Sequence, residues 1–179
     1  MKFQYKDQQF QVDAVNAVTS VFEGQPKQTS SSYVMDIGDE ENVTLDILNG
    51  FKNFPISLSD NHLLENIKSV QKNNGLIIDN KLIKMAIGGK DKVTEIDNSC
   101  KKLTLSVEME TGTGKTYTYI KTIFELNKQY GWSKFIIVVP NIAIREGIAK
   151  TFESTAEHFK NTYGISIRSF IYNSKHLDK

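Results

Sequence analysis

Cysteine is nearly absent: Cys100 is the single one in 179 residues, so neither an intramolecular disulfide nor a cysteine-rich zinc site can form. Arginine is almost as scarce, with Arg145 and Arg168 the only two among 22 basic residues. Arginine is the usual bidentate reader of guanine edges, so recognition of a base sequence is not expected. Neither sign of charge dominates, since 22 basic residues face 21 acidic ones for a net charge of +1. Without a global field to collect a polyanion, any nucleic-acid contact has to be local. No apolar run is long enough to cross a membrane, and Met1-Lys2-Phe3-Gln4-Tyr5-Lys6-Asp7 lacks the apolar core of a signal sequence. His62, His158 and His176 are scattered without metal-ligand spacing. These absences lead us to expect a soluble, cytoplasmic chain, and a hydrophobic content of 39% is enough for one ordinary core.

What is present is ordered in three stretches. Between Asp7 and Glu23 the residues Phe10, Ala14, Val15, Ala17, Val18, Val21 and Phe22 recur at three- and four-residue spacing, which predicts a helix stopped by Gly24 and Pro26. Residues 25–102 carry weaker signals and are expected to be an irregular insertion. Within them Gln25 to Ser32 reads as an exposed loop. Asp60 reads as the cap of a helix carrying Leu63, Leu64, Ile67 and Val70 and ended by Asn73-Asn74-Gly75, and Gly88-Gly89-Lys90-Asp91-Lys92 reads as a turn.

From residue 103 to 179 the pattern becomes regular. Leu103-Thr104-Leu105-Ser106-Val107 alternates like a strand, a helix is predicted over Lys115–Tyr130 up to Gly131, and Phe135-Ile136-Ile137-Val138-Val139 suits a strand buried on both faces. A helix over Ile142–Tyr163, Gly164, and a third strand over 166–172 follow. The order strand, helix, strand, helix, strand predicts an α/β fold with a parallel sheet and right-handed crossovers.

The loop between the first of these strands and its helix is Thr111-Gly112-Thr113-Gly114-Lys115-Thr116. Holding a triphosphate requires backbone N–H groups turned inward around anionic oxygens, and Gly112 and Gly114 supply the torsional freedom for that. Lys115 has the reach to set its ammonium between β- and γ-phosphates, and the Thr116 hydroxyl is suited to a Mg²⁺ ion. Against the pattern Gly-x-x-x-x-Gly-Lys-Ser/Thr the leading glycine is replaced by Met109. The strand before the loop and the helix after it supply the setting the pattern needs. Thr111, Gly112, Thr113, Gly114, Lys115 and Thr116 are therefore the candidate ATP-binding residues, with Lys115 and Thr116 in the catalytic role and Thr116 as the metal ligand.

Val107-Glu108-Met109-Glu110-Thr111-Gly112-Thr113-Gly114-Lys115-Thr116-Tyr117-Thr118-Tyr119 resembles motif I of the superfamily 2 helicases and translocases. More narrowly, together with Phe124 to Lys128, Phe135 to Pro140 and Glu146-Gly147, it resembles the restriction (Res) subunit of type III restriction-modification enzymes. The resemblance covers about residues 1–24 and 103–179. It implies a RecA-like P-loop motor lobe that uses ATP and Mg²⁺, acts on double-stranded DNA through sequence-independent backbone contacts, and pairs with a modification (Mod) subunit. It also assigns residues 1–24 a helix with a glutamine, Gln11, like the one many of these motors use to read adenine. A carboxamide suits that work, because its oxygen accepts from the N6 amine and its nitrogen donates to N7. Taken alone, Gln11 reads more readily as a solvated helix residue, and only the accompanying phosphate loop makes the two readings equal. Tyr5 or Phe3 is placed to stack on the base. Pro140 to Gly147 resembles motif Ia, which makes Asn141 and Arg145 candidates for holding a DNA phosphate. Their bland alternative is a helix N-cap and a surface charge.

Asp39-Glu40-Glu41 precedes the loop in a polar stretch and reads as a solvated turn rather than the carboxylate pair of such ATPases. No Asp-Glu pair follows Thr116. The chain thus reads as the first part of a motor lobe that binds ATP without turning it over. The alternatives are a piece of another superfamily 2 translocase and a nucleotide-responsive binding module.

Overall fold

The elements run α1 (Gln9–Ser20), α2 (Asp60–Asn73), β1 (Lys84–Ala86), β2 (Lys101–Leu103), α3 (Lys115–Tyr130) and α4 (Ile142–Tyr163) in a computed structural model that describes residues 5–27, 53–86 and 101–172. Among these, 7–27, 53–86 and 101–136 form one unit, and 5–6 with 137–172 form another. Phe3, Asp39-Glu40-Glu41, Gly88 to Lys92, Cys100 and His176 lie outside the described residues.

In the first unit α1 lies on α3 and on α2. α1 is held by burial of Val15 and Thr19 along one face, followed by Val21 and Phe22 past its end. α2 is capped by Ser59, whose hydroxyl accepts from the His62 N–H at 3.2 Å; Asp60, the expected cap, is instead the first helical residue, where its charge favours the positive end of the helix. Asn74 closes the far end as expected. Leu63, 4% exposed, enters a cluster with Val21, Phe22, Tyr130 and Trp132, against which Leu58, Ile67, Val70 and Leu82 pack. Part of the stretch read as an insertion therefore belongs to the core.

The three aromatic rings of that cluster meet edge-on or tilted. Phe22 lies 5.0 Å from Trp132 and 6.2 Å from Tyr130, and the last two are 5.3 Å apart, which are favourable geometries for their quadrupoles. Their polar ends are satisfied by backbone from other segments: Tyr130 Oη donates to the Thr19 carbonyl at 2.9 Å and Trp132 Nε1 to the Phe54 carbonyl at 3.0 Å. Burial first, and then the negative charge of Glu23, raises the Tyr130 pKa, so the hydroxyl keeps the proton it donates. Gln25, expected at the start of an exposed loop, is buried instead. Its amide donates to the Pro55 carbonyl at 3.2 Å and its oxygen accepts from the Ser57 N–H at 2.8 Å. Asn53 performs the same service for the chain after Trp132, accepting from the Ser133 and Lys134 N–H groups at 2.9 Å each. A buried polar side chain is tolerated where it replaces water for backbone groups that have no ladder partner.

The expected parallel sheet is not formed among the described residues. Only β1 and β2 pair, antiparallel, with Met85 opposite Lys102. β2 takes up the start of the first predicted strand, and Thr104 N–H adds one more bond to the Ile83 carbonyl at 3.0 Å, but the chain from 105 onward joins no ladder. Residues 135–139 and 166–172 carry no strand pairing either. The reason is lateral: a strand buried on both faces needs partner strands at its edges and cover on each side, whereas Ile136 is 91% and Val138 88% exposed.

In the second unit α4 starts at Asn141 and ends at Gly164, whose φ of +73° gives the left-handed turn that stops the helix. Thr155 and Phe159 are its buried residues. Tyr5 packs against His158 with ring centroids 5.0 Å apart.

If α2 is part of the core, Leu63→Ala should lower the unfolding free energy by about 3 kcal/mol, the usual cost of emptying a buried leucine site. Urea unfolding followed by tryptophan fluorescence measures this directly, because Trp132 belongs to the same cluster. A change under 1 kcal/mol would mean that α2 only decorates the surface.

Candidate nucleotide-binding site

α3 opens at Gly114, which takes φ +81° and offers no side-chain cap to the first turn. The leading N–H groups of the helix are thus left to an external acceptor, and the helix dipole adds positive potential at the same place. Gly112 also lies in the left-handed region, at φ +85°, so two of the three residues before Lys115 have torsions that a side chain disfavours. The loop is folded on itself: Thr113 Oγ1 donates to the Glu110 carbonyl at 2.7 Å, and Lys115 Nζ donates to the carbonyls of Met109 at 2.9 Å and Glu110 at 2.8 Å. An ammonium has three donors. Lys115 therefore rests on its own loop, with two of its three donors on backbone carbonyls. Thr116 follows in the first turn.

Gln11 is brought to this loop from 102 residues away. It is 9% exposed, and its Nε2 donates to the Thr113 carbonyl at 2.9 Å. The approach is tight enough that a Cβ on Gly114 would stand 2.6 Å from that nitrogen. A side chain at position 114 is thus strained by the torsion, and it would also push Gln11 Nε2 away from the Thr113 carbonyl. One Gln11 N–H is committed to the loop; the second N–H and the Oε1 oxygen make up the donor and acceptor that an adenine edge needs.

Two residues that the sequence did not mark for function shape this region. Lys121 is buried on α3 and pairs with Asp7, which anchors the chain just before α1 to the helix that carries the loop. Tyr119, named in the sequence only as the last residue of the motif I-like segment, has its hydroxyl oxygen buried without a partner of hydrogen-bonding geometry. Burial raises its pKa, and the neighbouring Thr116 side chain, close but outside hydrogen-bond geometry, acts in the opposite direction. The signal for Tyr119 was its spacing, one helical turn after Thr116.

The remaining candidates lie in the other unit and are engaged locally. Asn141 Oδ1 accepts from the Ile144 N–H at 2.9 Å and caps α4, and Arg145 binds the neighbouring Glu146 through Nε at 3.1 Å and Nη2 at 2.9 Å. Tyr5 faces His158. Among the described residues no three His, Cys, Asp or Glu side chains gather as a metal site, and no helix is long and apolar enough to cross a membrane.

Comparison with known proteins gives this geometry its family. Residues 9–178 match the family model described as type III restriction enzyme, res subunit. The chain is 40% identical over 122 residues to the Res subunit of the type III restriction-modification enzyme EcoP15I of Escherichia coli, a match covering 67% of this chain and 11% of that protein. It is 37% identical over 138 residues to the EcoPI Res subunit of Escherichia phage P1, covering 76% of this chain and 12% of the relative. With the StyLTI Res subunit of Salmonella typhimurium it shares 45% identity over 64 residues, 35% of this chain and 6% of the relative. The chain spans about a tenth of the length of the first two relatives. The family implies a RecA-like P-loop fold, in keeping with a glycine loop at the start of α3. By the match along nearly its whole length, the chain belongs to the Res subunit family of type III restriction enzymes.

Proposed function

We propose that this chain is the ATP-binding first part of the motor of a type III Res subunit, and that the complete enzyme couples ATP hydrolysis to action on double-stranded DNA together with a modification subunit. The observation that carries the reading is the uncapped start of α3, where a loop with two left-handed glycines and Lys115 takes the Gln11 carboxamide on its Thr113 carbonyl, beside Gly114. Each part has a task. The N–H groups of residues 112–116 take phosphate oxygens, the Thr113 N–H leaving the Glu110 carbonyl it meets at 3.4 Å, and Lys115 exchanges the Met109 and Glu110 carbonyls for β- and γ-phosphate oxygens. Thr116 holds Mg²⁺, which when bound neutralises charge on the β- and γ-phosphates. Gln11 keeps one N–H on the Thr113 carbonyl and offers the rest of its amide to adenine, so base identity and loop conformation are read by one side chain.

The DNA contact is assigned to α4. Asn141 sets the first turn of that helix by capping it, which directs backbone N–H groups outward, and Arg145 trades Glu146 for a backbone phosphate. Such contacts carry no base information, in keeping with a chain that has two arginines.

Calorimetry with a slowly hydrolysed ATP analogue and Mg²⁺ tests the phosphate site. Lys115→Ala should weaken binding by about 2 kcal/mol, or roughly thirtyfold in Kd, the scale of a charged hydrogen bond. Equal affinity in a folded variant would remove the assignment. The base-reading role of Gln11 is tested by competition between ATP and GTP. The unsubstituted chain should prefer ATP, and Gln11→Ala should narrow the preference by about 1 kcal/mol, roughly fivefold. A preference that survives the substitution unchanged would leave Gln11 with the loop alone.

A further inference from the structure

Tyr119 presents a contradiction in its own chemistry. A phenol packed on a helix normally keeps its hydroxyl at the edge of water or gives it a partner, because burying it without one costs on the order of 1–3 kcal/mol. Tyr130, on the same helix, follows that rule by donating to the Thr19 carbonyl. Tyr119 does not: its oxygen is the one buried side-chain polar atom among the described residues without a hydrogen-bond partner. Orphaned buried groups of this kind call for an explanation, and one is a partner present only in another state of the site.

The position of the residue names that partner. Side chains three apart on a helix are neighbours on one face, and three residues before Tyr119 stands Thr116, in the first turn of α3. A hydroxyl has one hydrogen and two lone pairs. When a lone pair of Thr116 goes to a cation, the hydrogen is what remains to be placed, and the bound charge makes the hydroxyl a stronger donor. The Tyr119 oxygen is a buried acceptor without a bond of proper geometry, and burial raises its pKa while the Thr116 side chain is near enough to act the other way. A phenylalanine at 119 would pack in the same space without that acceptor.

We propose that Tyr119 is a positioning residue for the magnesium–nucleotide site, accepting the Thr116 hydroxyl hydrogen so that the Thr116 oxygen keeps a lone pair toward the cation. The proposal rests on the phosphate-loop reading and adds to it a group outside the loop motif. It places the orphaned oxygen in a cycle. In the free loop the Thr116 side chain is already its neighbour but makes no bond of proper geometry, and a cation on Thr116 would turn that contact into a hydrogen bond.

The test compares the affinity of the 179-residue chain for a slowly hydrolysed ATP analogue with Mg²⁺ and with EDTA, for the unsubstituted protein and for Tyr119→Phe. The ratio of the two affinities isolates what the cation contributes. Tyr119→Phe should melt at the same temperature or slightly higher, since a buried unpartnered oxygen is removed. It should lose about fivefold of the Mg²⁺ enhancement, the scale of one hydrogen bond, with its affinity in EDTA unchanged. In a Thr116→Val background, which lacks the hydroxyl, Tyr119→Phe should have no further effect. An equal Mg²⁺ enhancement in Tyr119→Phe, or an equal loss in both backgrounds, would overturn the role of Tyr119 while leaving the phosphate loop standing. Failure of the unsubstituted chain to bind the analogue at all would overturn both readings, and Lys115→Ala would then match it.

Discussion

One hydrogen bond connects the two halves of the candidate site: the Gln11 amide on the Thr113 carbonyl, at 2.9 Å across 102 residues of sequence. It joins the first helix to the loop that opens α3, and the surrounding packing keeps it in register. Lys121 is buried against Asp7 just before α1, and Tyr130 reaches from the end of α3 to the Thr19 carbonyl near the end of α1. The two helices are thus tied near both of their ends by polar contacts that leave little freedom to slide. A loop held this way favours glycine at 114 by its positive φ, and a side chain there would also displace Gln11 Nε2 from the Thr113 carbonyl. Preorganisation of this sort lowers the ordering cost of binding an anion.

The parts of this fold legible in the sequence are those set by local chemistry. α3 and α4 begin and end where they were expected because Gly131 and Gly164 take the left-handed turn that stops each helix, at φ +76° and +73°. The helix from 60 to 73 was legible from its apolar spacing and its Asn-Asn-Gly ending, although its cap is Ser59 and not Asp60. The loop was legible because a motif of small residues before Lys115 has few other uses. What was not legible depends on partners distant in sequence. Alternation at 103–107 and the apolar run at 135–139 say that a strand is compatible with the residues, but pairing is made by neighbours, and among the described residues these segments find none beyond the short β1 and β2 ladder. Gln25 and Asn53 illustrate the opposite case. Both are polar residues in unpromising stretches, and both turn out to satisfy backbone groups that no ladder serves.

The same distinction divides the candidate residues. Lys115, Thr116 and the loop glycines share one turn of chain, so their proximity needs no folding argument. For Gln11 the sequence offered two readings; the side chain is buried on the Thr113 carbonyl rather than solvated, a contact that ties it to the loop, and its base-reading role rests on the proposal. Asn141 and Arg145 show the local arrangements that ordinary helix starts show, a cap and a neighbouring ion pair, and their DNA role rests on the family.

The central claim is that phosphates bind where α3 begins, under the hand of Gln11. Amide chemical shifts of the isotopically labelled chain, titrated with a slowly hydrolysed ATP analogue and Mg²⁺, test it most directly. The account predicts that the largest changes fall on the backbone amides of residues 110–117 and on the Gln11 side-chain amide. Shifts centred on other residues, with these signals unmoved at saturation, would contradict it.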